Sequence, residues 1–107
     1  MTIPRKAAPR WRVHPGEVLR EEFLRPTGLS PYALAKRLHV PPPRINDIVL
    51  ERRGITVDTA MRLSRFFRTS EQFWLNLQNS YEVARLRAQN SEDLERIKPL
   101  ETATSKG

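Results

Sequence analysis

Apolar side chains recur at helical spacing in five segments of this chain, and nowhere do they alternate with the period of two that a β-strand requires. Each segment begins with residues that favour a helix start, either a hydroxyl N-cap or an early proline. These starts are Pro15, Ser30-Pro31, Pro41-Pro42-Pro43, Thr56 and Ser70. Asp58 follows Thr56 in a first turn, where acidic side chains are favourable. The pattern predicts an all-α protein of five helices with a long fifth helix.

The composition excludes several classes of protein. With 107 residues the chain has the length of one domain, and with no cysteine it has no disulfide, thiolate nucleophile or cysteine metal site. The two histidines, His14 and His39, are not accompanied by an ordered set of catalytic side chains. No apolar stretch approaches the ~20 residues of a membrane helix, and the N-terminus has no apolar signal segment. We expect a cytoplasmic protein that is not an enzyme, with no cofactor, metal, small-molecule substrate or membrane partner.

Positive charge is concentrated in the first half of the chain. The formal net charge is +7, and residues 1–54 carry 11 cationic and five acidic side chains, against eight and seven in residues 55–107. Such asymmetry indicates a polyanionic partner, although a solvated arginine-rich surface produces the same count. We expect residues 1–12 to form a basic N-terminal arm anchored by Trp11, residues 13–97 the folded domain, and residues 98–107 a flexible tail.

The second and third segments are short, and a turn around His39-Val40 joins them. Two short helices joined in this way make a helix-turn-helix. Ala35 is small enough for the two helices to cross closely. The aliphatic residues that fill the wedge behind them are Leu34, Leu38, Val40, Ile45 and Ile48. This arrangement leaves the outer face of the third helix free to enter a DNA major groove, which is about 12 Å wide.

The outer face of the third helix and its surroundings supply the candidate DNA contacts. These are Ser30, Lys36, Arg37, Pro43, Arg44, Asn46, Asp47, Arg52 and Arg53. Arg44 suits guanine or a phosphate, and Asn46 suits adenine or a phosphate. Asp47 suits either a cytosine amino group or an ion pair with Arg44. Arg52 and Arg53 suit the flanking phosphates, whereas Ser30 is first of all an N-cap.

A seam on the fifth segment has the 3-4-3-4 spacing of a coiled coil, which is typical of a core or of a dimer interface. Its residues are Trp74, Leu77, Tyr81, Ala84 and Ala88. Because the seam is longer than a core of this size needs, it predicts a homodimer that uses the fifth helix. His14 precedes Pro15 and is predicted to have a structural role at the start of the first helix.

Four stretches of this chain resemble a known family. Leu34 to Ile48 resembles the helix-turn-helix of phage-repressor-like regulators. More narrowly, the His-Pro-Gly-Glu-Val-Leu run at 14–19, Arg-Gly-Ile-Thr at 53–56 and Phe-Trp-Leu-Asn-Leu-Gln at 73–78 resemble HigA-type antitoxins of type II toxin–antitoxin modules. The three blocks stand in the family's order, and the resemblance covers about residues 13–88.

The resemblance implies a function that the residues alone do not show. It implies a homodimer that represses its own operon on a palindromic operator in double-stranded DNA and neutralises a co-encoded, RelE-like, messenger-RNA-cleaving toxin. A stand-alone repressor without a toxin would have nearly the same sequence, apart from the family blocks. A small basic ribonuclease is a further alternative, but that fold needs a β-sheet, for which this chain has no strand pattern.

Two features bear on the partners that the resemblance implies. Pro42 and Pro43 stand where the family usually has side chains or N–H groups that bind DNA, so readout must depend on other residues or on apolar contact with a thymine methyl group. A toxin that grips ribosomal RNA is basic, so this basic chain needs a local acidic patch to bind it. Glu17, Glu21 and Glu22 on the first helix form our first candidate, termed the acidic strip, and Glu92, Asp93 and Glu95 the second.

Overall fold

The computed structural model describes residues 13–101, which form five helices and no strand. We number these α1 (residues 15–27), α2 (Pro31–Leu38), α3 (Pro42–Val49), α4 (Val57–Phe67) and α5 (Glu71–Glu95). The all-α prediction is confirmed. The predicted basic arm with Trp11, and residues 102–107 of the predicted tail, lie outside the described residues. None of the described helices combines the length and apolar character that crossing a membrane would require.

Short-range capping explains where the helices begin. The hydroxyl oxygen of Ser30 accepts from the backbone N–H of Ala33 at 3.0 Å, and that of Ser70 accepts from Phe73 at the same distance. Thr56 caps α4 in the same manner. These bonds satisfy N–H groups that have no partner within the helix. The predicted starts of α2, α4 and α5 are therefore confirmed, because each depends on a hydroxyl group only three residues away. Helix α1 begins with a proline as predicted and is capped by His14, and α3 begins at Pro42 without a side-chain cap.

Helix α1 is not a uniform α-helix. Its α-helical ends, Pro15–Val18 and Arg25–Thr27, flank a π-helical stretch at Leu19–Leu24. The apolar residues of this stretch are spaced by five, as in Val18 with Phe23 and Leu19 with Leu24. Five residues of an ideal α-helix leave two side chains about 140° apart, whereas the wider π turn brings them closer to one side. The single apolar face predicted for this segment exists, but as a π-helix rather than an α-helix.

The core lies where α1, α4 and α5 cover the inner side of the helix-turn-helix. Its buried residues are Leu19, Leu24, Leu34, Ala35, Leu38, Val40, Ile45, Ile48, Val49, Ile55, Ala60, Leu63 and Trp74. The aliphatic wedge predicted from the sequence is thus buried in full. Gly16 brings the start of α1 against the end of α3, because a Cβ at this position would overlap the backbone carbonyl of Ile48.

Helix α5 has two parts with different surroundings. Trp74 near its start has no exposed surface, and its indole N–H donates to the Thr69 hydroxyl at 2.8 Å. Farther along, Val83 and Leu94 are exposed. The backbone leaves helical geometry at Asn90, where φ is −111° and ψ is 17°. The second half of α5 therefore extends beyond the core of the single chain.

Candidate nucleic-acid interface

The turn between α2 and α3 is made by an unusual backbone conformation. His39 ends α2 in the left-handed region with φ of 62°, and the N–H of Val40 donates to the Ala35 carbonyl at 3.0 Å. Pro41 is extended and directs the chain into α3. The first-turn prolines of α3 cost nothing in backbone hydrogen bonding, because the N–H groups they replace would have no partner in the helix. The helix-turn-helix predicted from the sequence is therefore present.

The outward face of α3 is polar and proline-rich. Pro42, Pro43 and Asn46 are exposed, whereas Arg44 and Asp47 are half-buried. The aliphatic residues between them face the core. Four of the nine candidate DNA contacts, namely Pro43, Arg44, Asn46 and Asp47, thus lie on one helix, and Asn46 is the exposed polar side chain among them.

Arg44 is held by a residue of α4 and not by Asp47. Its Nη1 atom donates to Oδ2 of Asp58 at 2.6 Å, and Arg62 donates to the same oxygen at 3.0 Å. The hydrogen bonds from Arg44 and Arg62 lower the pKa of Asp58. The sequence interpretation that paired Asp47 with Arg44 is wrong, because the acceptor in the next helix lies closer to the guanidinium group.

Asp47 instead binds the two arginines that follow α3. Its Oδ1 atom accepts from Arg52 at 3.2 Å, and its Oδ2 atom lies 3.6 Å from a nitrogen of Arg53. Both arginines remain exposed. Asp47 therefore gathers two cationic groups at the C-terminal end of α3.

The candidates on and before α2 are dispersed. Ser30 is exposed and caps α2, as predicted. Lys36 lies 5.9 Å from the centre of the Tyr32 ring, and the guanidinium carbon of Arg37 lies 5.1 Å from that of Phe66. The Arg37 side chain thus packs on α4.

Arg20 of α1 binds the C-terminal end of α3, and sequence reasoning missed it. Its Nη1 atom donates to the Val49 carbonyl at 2.5 Å, and its Nη2 atom donates to Glu51 at 3.3 Å. Arg20 also contacts Glu21 at 3.1 Å. Since Val49 lies 29 positions away, no local pattern in the sequence reveals this contact.

His14 has the structural role that the sequence predicts. Its Nδ1 atom accepts from the backbone N–H of Gly16 at 2.8 Å, and its ring packs edge-on against Tyr81 at 4.8 Å. Burial lowers the pKa of His14; Arg20 acts in the same direction, whereas Glu51 opposes it. A neutral ring is required here, because only an unprotonated Nδ1 accepts this hydrogen bond.

The predicted seam of α5 divides between the core and the surface. Trp74 is fully buried in the single chain, so it offers no surface to a second chain and its assignment to a dimer interface is corrected. Leu77 packs against the core, Tyr81 packs on His14, Ala84 is half-buried and Ala88 is exposed. The aromatic seam residues Trp74 and Tyr81 thus belong to the fold of the single chain. Of the predicted seam, the later residues Ala84 and Ala88 border solvent.

The acidic strip is partly engaged within α1. Glu21 accepts from Arg25 at 2.8 Å and from Arg20 at 3.1 Å, and these bonds lower the pKa of Glu21. Glu22 is exposed, and Glu17 is half-buried. Within residues 13–101, no three histidine, aspartate or glutamate side chains are grouped so that they could hold a metal ion.

Comparisons with known proteins agree with this geometry. Residues 19–74 match a family model described as helix-turn-helix. Virulence-associated protein I of Dichelobacter nodosus is 51% identical over 95% of this chain and 94% of that protein. The Pseudomonas aeruginosa antitoxin HigA, solved with the higBA promoter, is 52% identical with a TM-score of 0.81, covering 83% of this chain and 98% of that chain. The chain belongs to the HigA antitoxin family.

A further HigA-like structure is the antitoxin GraA in complex with its operator. It is 37% identical, has a TM-score of 0.79 and covers 92% of this chain and 98% of that chain. Both structures therefore share the fold of this chain over most of its length.

The sequence blocks typical of HigA proteins meet in space. Gln78 of the third block accepts from the N–H of Ile55 in the second block at 2.7 Å. A Cβ at Gly54 would lie within 2.7 Å of the same Gln78 amide, which explains the glycine. His14 of the first block packs on Tyr81, one turn beyond the third. These HigA blocks therefore hold α1 and α5 around the C-terminal end of α3.

Proposed function

We propose that this chain is a dimeric, non-enzymatic, cytoplasmic antitoxin that binds a palindromic operator of its own operon and neutralises a co-encoded RelE-like toxin. The observation that carries the DNA part is the open face of α3. That face presents Asn46 and two prolines, with Arg44 at one side and Arg52 and Arg53 at its end. It stands on a fold shared with antitoxins whose structures include promoter or operator DNA.

The arginines of this face have two different roles in the proposal. Arg44 lies on α3 itself and reads a base, whereas Arg52 follows the helix and neutralises a phosphate. Arg44→Ala should therefore cost about 1–3 kcal/mol of operator affinity and relax specificity at one base pair. Arg52→Ala should weaken binding to all sequences alike and reduce the salt slope by about one ion.

Fluorescence anisotropy on a panel of operator variants at several salt concentrations measures both effects. Lys98→Ala serves as a cationic control, because Lys98 is exposed beyond the end of α5 and belongs to none of the candidate DNA contacts. Identical behaviour of the Arg44 and Arg52 variants across the panel would contradict the assignment of separate roles.

The two first-turn prolines contribute shape and apolar surface. Neither Pro42 nor Pro43 can donate an N–H to a phosphate, so we propose that their exposed rings contact thymine methyl groups. A Pro43→Ser variant keeps a residue tolerated near a helix start and exchanges the apolar ring for a hydroxyl. Its preference should shift away from thymine at one position of the half-site.

The second half of α5 is the proposed dimer surface. One largely exposed side of it carries small, polar and aliphatic side chains, namely those of Asn79, Ser80, Val83, Ala84, Arg87 and Ala88. Small side chains along a helix allow a second helix to approach closely. Light scattering at micromolar concentration should report about twice the chain mass of 12.5 kDa.

Ala84→Glu should convert the dimer to a monomer, whereas Gln89→Glu, which adds the same charge at an exposed position, should leave it intact. A wild-type monomer at every concentration tested would contradict the proposed interface.

The acidic strip on α1 is the proposed contact for the basic toxin. Glu21 accepts hydrogen bonds from two guanidinium groups of the same helix, which are the kind of donor that a basic toxin would offer. A Glu21→Lys/Glu22→Lys variant should associate with toxin more slowly and more weakly, while DNA binding is kept or improves. Glu92→Lys/Asp93→Lys is the matched control, since it reverses two charges in the second acidic patch.

If the Glu21→Lys/Glu22→Lys variant neutralises the toxin as the wild type does and the Glu92→Lys/Asp93→Lys variant does not, the toxin contact lies at the end of α5 and not on α1. Failure of the wild-type chain to bind the product of any adjacent gene would leave a stand-alone repressor.

A further inference from the structure

Asp58 joins α3, the proposed recognition helix, to α4 and, through Arg62, to α2. Its Oδ2 atom accepts from Arg44 of α3 at 2.6 Å and from Arg62 of α4 at 3.0 Å. Arg62 also donates to the Leu38 carbonyl at the end of α2, at 2.8 Å. The Asp58 carboxylate, together with Arg62, thus connects α2, α3 and α4. The guanidinium group that it holds on α3 is that of Arg44, which the proposed function assigns to base reading.

The exposure of these side chains is unequal in a way that matters. The Arg44 side chain is 29% exposed, whereas the Asp58 side chain is 53% exposed. Arg44 therefore lies against the protein surface in one orientation and does not extend freely into solvent. An arginine that extends freely can bind any phosphate, which adds affinity for all sequences and discrimination for none.

We propose that Asp58 is a positioning residue that determines sequence specificity: it holds Arg44 for base reading and withholds it from phosphates. This inference rests on the proposed function, in which α3 binds operator DNA. The carboxylate offsets the charge of Arg44, which reduces its attraction to the DNA backbone. The Asp58 carboxylate also occupies Nη1 of Arg44. The remaining N–H donors of Arg44 are thereby left for the bases in the DNA major groove.

The test compares Asp58→Asn with the wild-type chain on operator DNA and on a random duplex of equal length. Asp58→Asn keeps the shape of the side chain and removes its charge. The variant should bind the random duplex more tightly, with a salt slope larger by about one ion. Its discrimination at the base pair read by Arg44 should fall by roughly tenfold, the scale of one bidentate base contact.

Three further variants separate positioning from a general effect of charge or folding. Asp93→Asn makes the same charge change at an exposed site on α5 and should behave as wild type. Asp58→Glu keeps the carboxylate and should keep the wild-type salt slope. In an Arg44→Ala background, Asp58→Asn should cause no further loss of discrimination, because the side chain that it positions is absent.

Wild-type discrimination by Asp58→Asn, or an equal loss with and without Arg44, would overturn the inference while leaving operator binding intact. A salt slope for Asp58→Glu equal to that of Asp58→Asn would also overturn it. If the wild-type chain shows no preference for operator over random DNA, the proposed function itself fails and the inference falls with it.

Discussion

A single side chain, Arg20, holds the end of the recognition helix. It donates to the Val49 carbonyl in the last turn of α3 and pairs with Glu51 just beyond it. The last carbonyl groups of a helix have no partner within the helix, and a cationic donor satisfies them best. Arg20 therefore does for the end of α3 what capping hydroxyl groups do for the starts of α2, α4 and α5.

Arg20→Ala should lower the free energy of unfolding by about 1–3 kcal/mol, because it removes a charged hydrogen bond to a half-buried site. Arg25→Ala is the matched control, since the hydrogen bonds of the Arg25 side chain to Glu21 are exposed and their loss should cost about 0–1 kcal/mol. Urea unfolding of both variants measures the difference. Equal losses would contradict the cap.

His14 makes the stability of the fold depend on pH. Its pKa in the folded chain lies below its ordinary value of 6.5, so the unfolded chain takes up a proton first as the pH falls. This contribution is fully present above the unfolded pKa and is lost as the pH falls from about 7 through 6.5 towards the folded pKa.

His14→Asn keeps a side chain that can cap α1 and removes the titrating group. The free energy of unfolding of the wild-type chain should fall between pH 7.5 and pH 5.5, and that of the variant should fall less. Urea unfolding at several pH values across that window is the measurement. Parallel pH profiles for the two proteins would contradict this role of His14.

Residue partners were predictable from the sequence only when they were local. Ser30 and Thr56 are predictable as caps because the hydroxyl oxygen of each accepts from a backbone N–H three residues later. The partner of Arg44 was not predicted, because Asp58 lies 14 positions away and reads in isolation as a favourable first-turn acid. The same limit hid Arg20, whose carbonyl partner belongs to a helix that folds back onto α1.

At the scale of the elements, the position of α3 depends on how closely α1 approaches it. Gly16 stands where any Cβ would overlap the Ile48 carbonyl. Alanine normally stabilises a helix relative to glycine by about 0.5–1 kcal/mol. Here the backbone contact outweighs that gain, since neither helix can move without disturbing the core.

Gly16→Ala should therefore destabilise the chain, by about 1–3 kcal/mol as for other overpacked sites, and should weaken operator binding by displacing α3. Thermal unfolding and anisotropy on the same samples test both effects. A variant as stable as the wild type or more so would show that α1 and α3 are less closely coupled than the structure indicates.

The helices themselves were predictable because their starts and apolar spacings are local signals. The π-helical part of α1 is visible in the sequence as a spacing of five between apolar pairs. Two such pairs also fit the apolar face of an ordinary helix, so the spacing predicts a helix without predicting its type. The seam of α5 shows the opposite limit. Its spacing cannot distinguish a core residue such as Trp74 from a surface residue such as Ala88, because both follow the same period.

At the scale of the whole molecule, charge and topology act together. Arg44, Arg52 and Arg53 lie on or just after α3, whereas the acidic strip lies on α1 and exposed side chains such as Val83 lie on the second half of α5. In the proposed function, DNA binds at α3, the toxin at α1 and a second copy of the chain at α5. The DNA surface carries the central claim, because the other two assignments presuppose a HigA-type repressor.

The most direct test is a DNase I footprint of the purified chain on the DNA upstream of its own gene, with an unrelated duplex as competitor. The account predicts protection of two half-sites related by a two-fold axis, about 34 Å apart or a near multiple of that spacing. Protection should persist against the competitor and weaken as salt rises. Uniform protection of upstream and unrelated DNA, or a single half-site without symmetry, would contradict it.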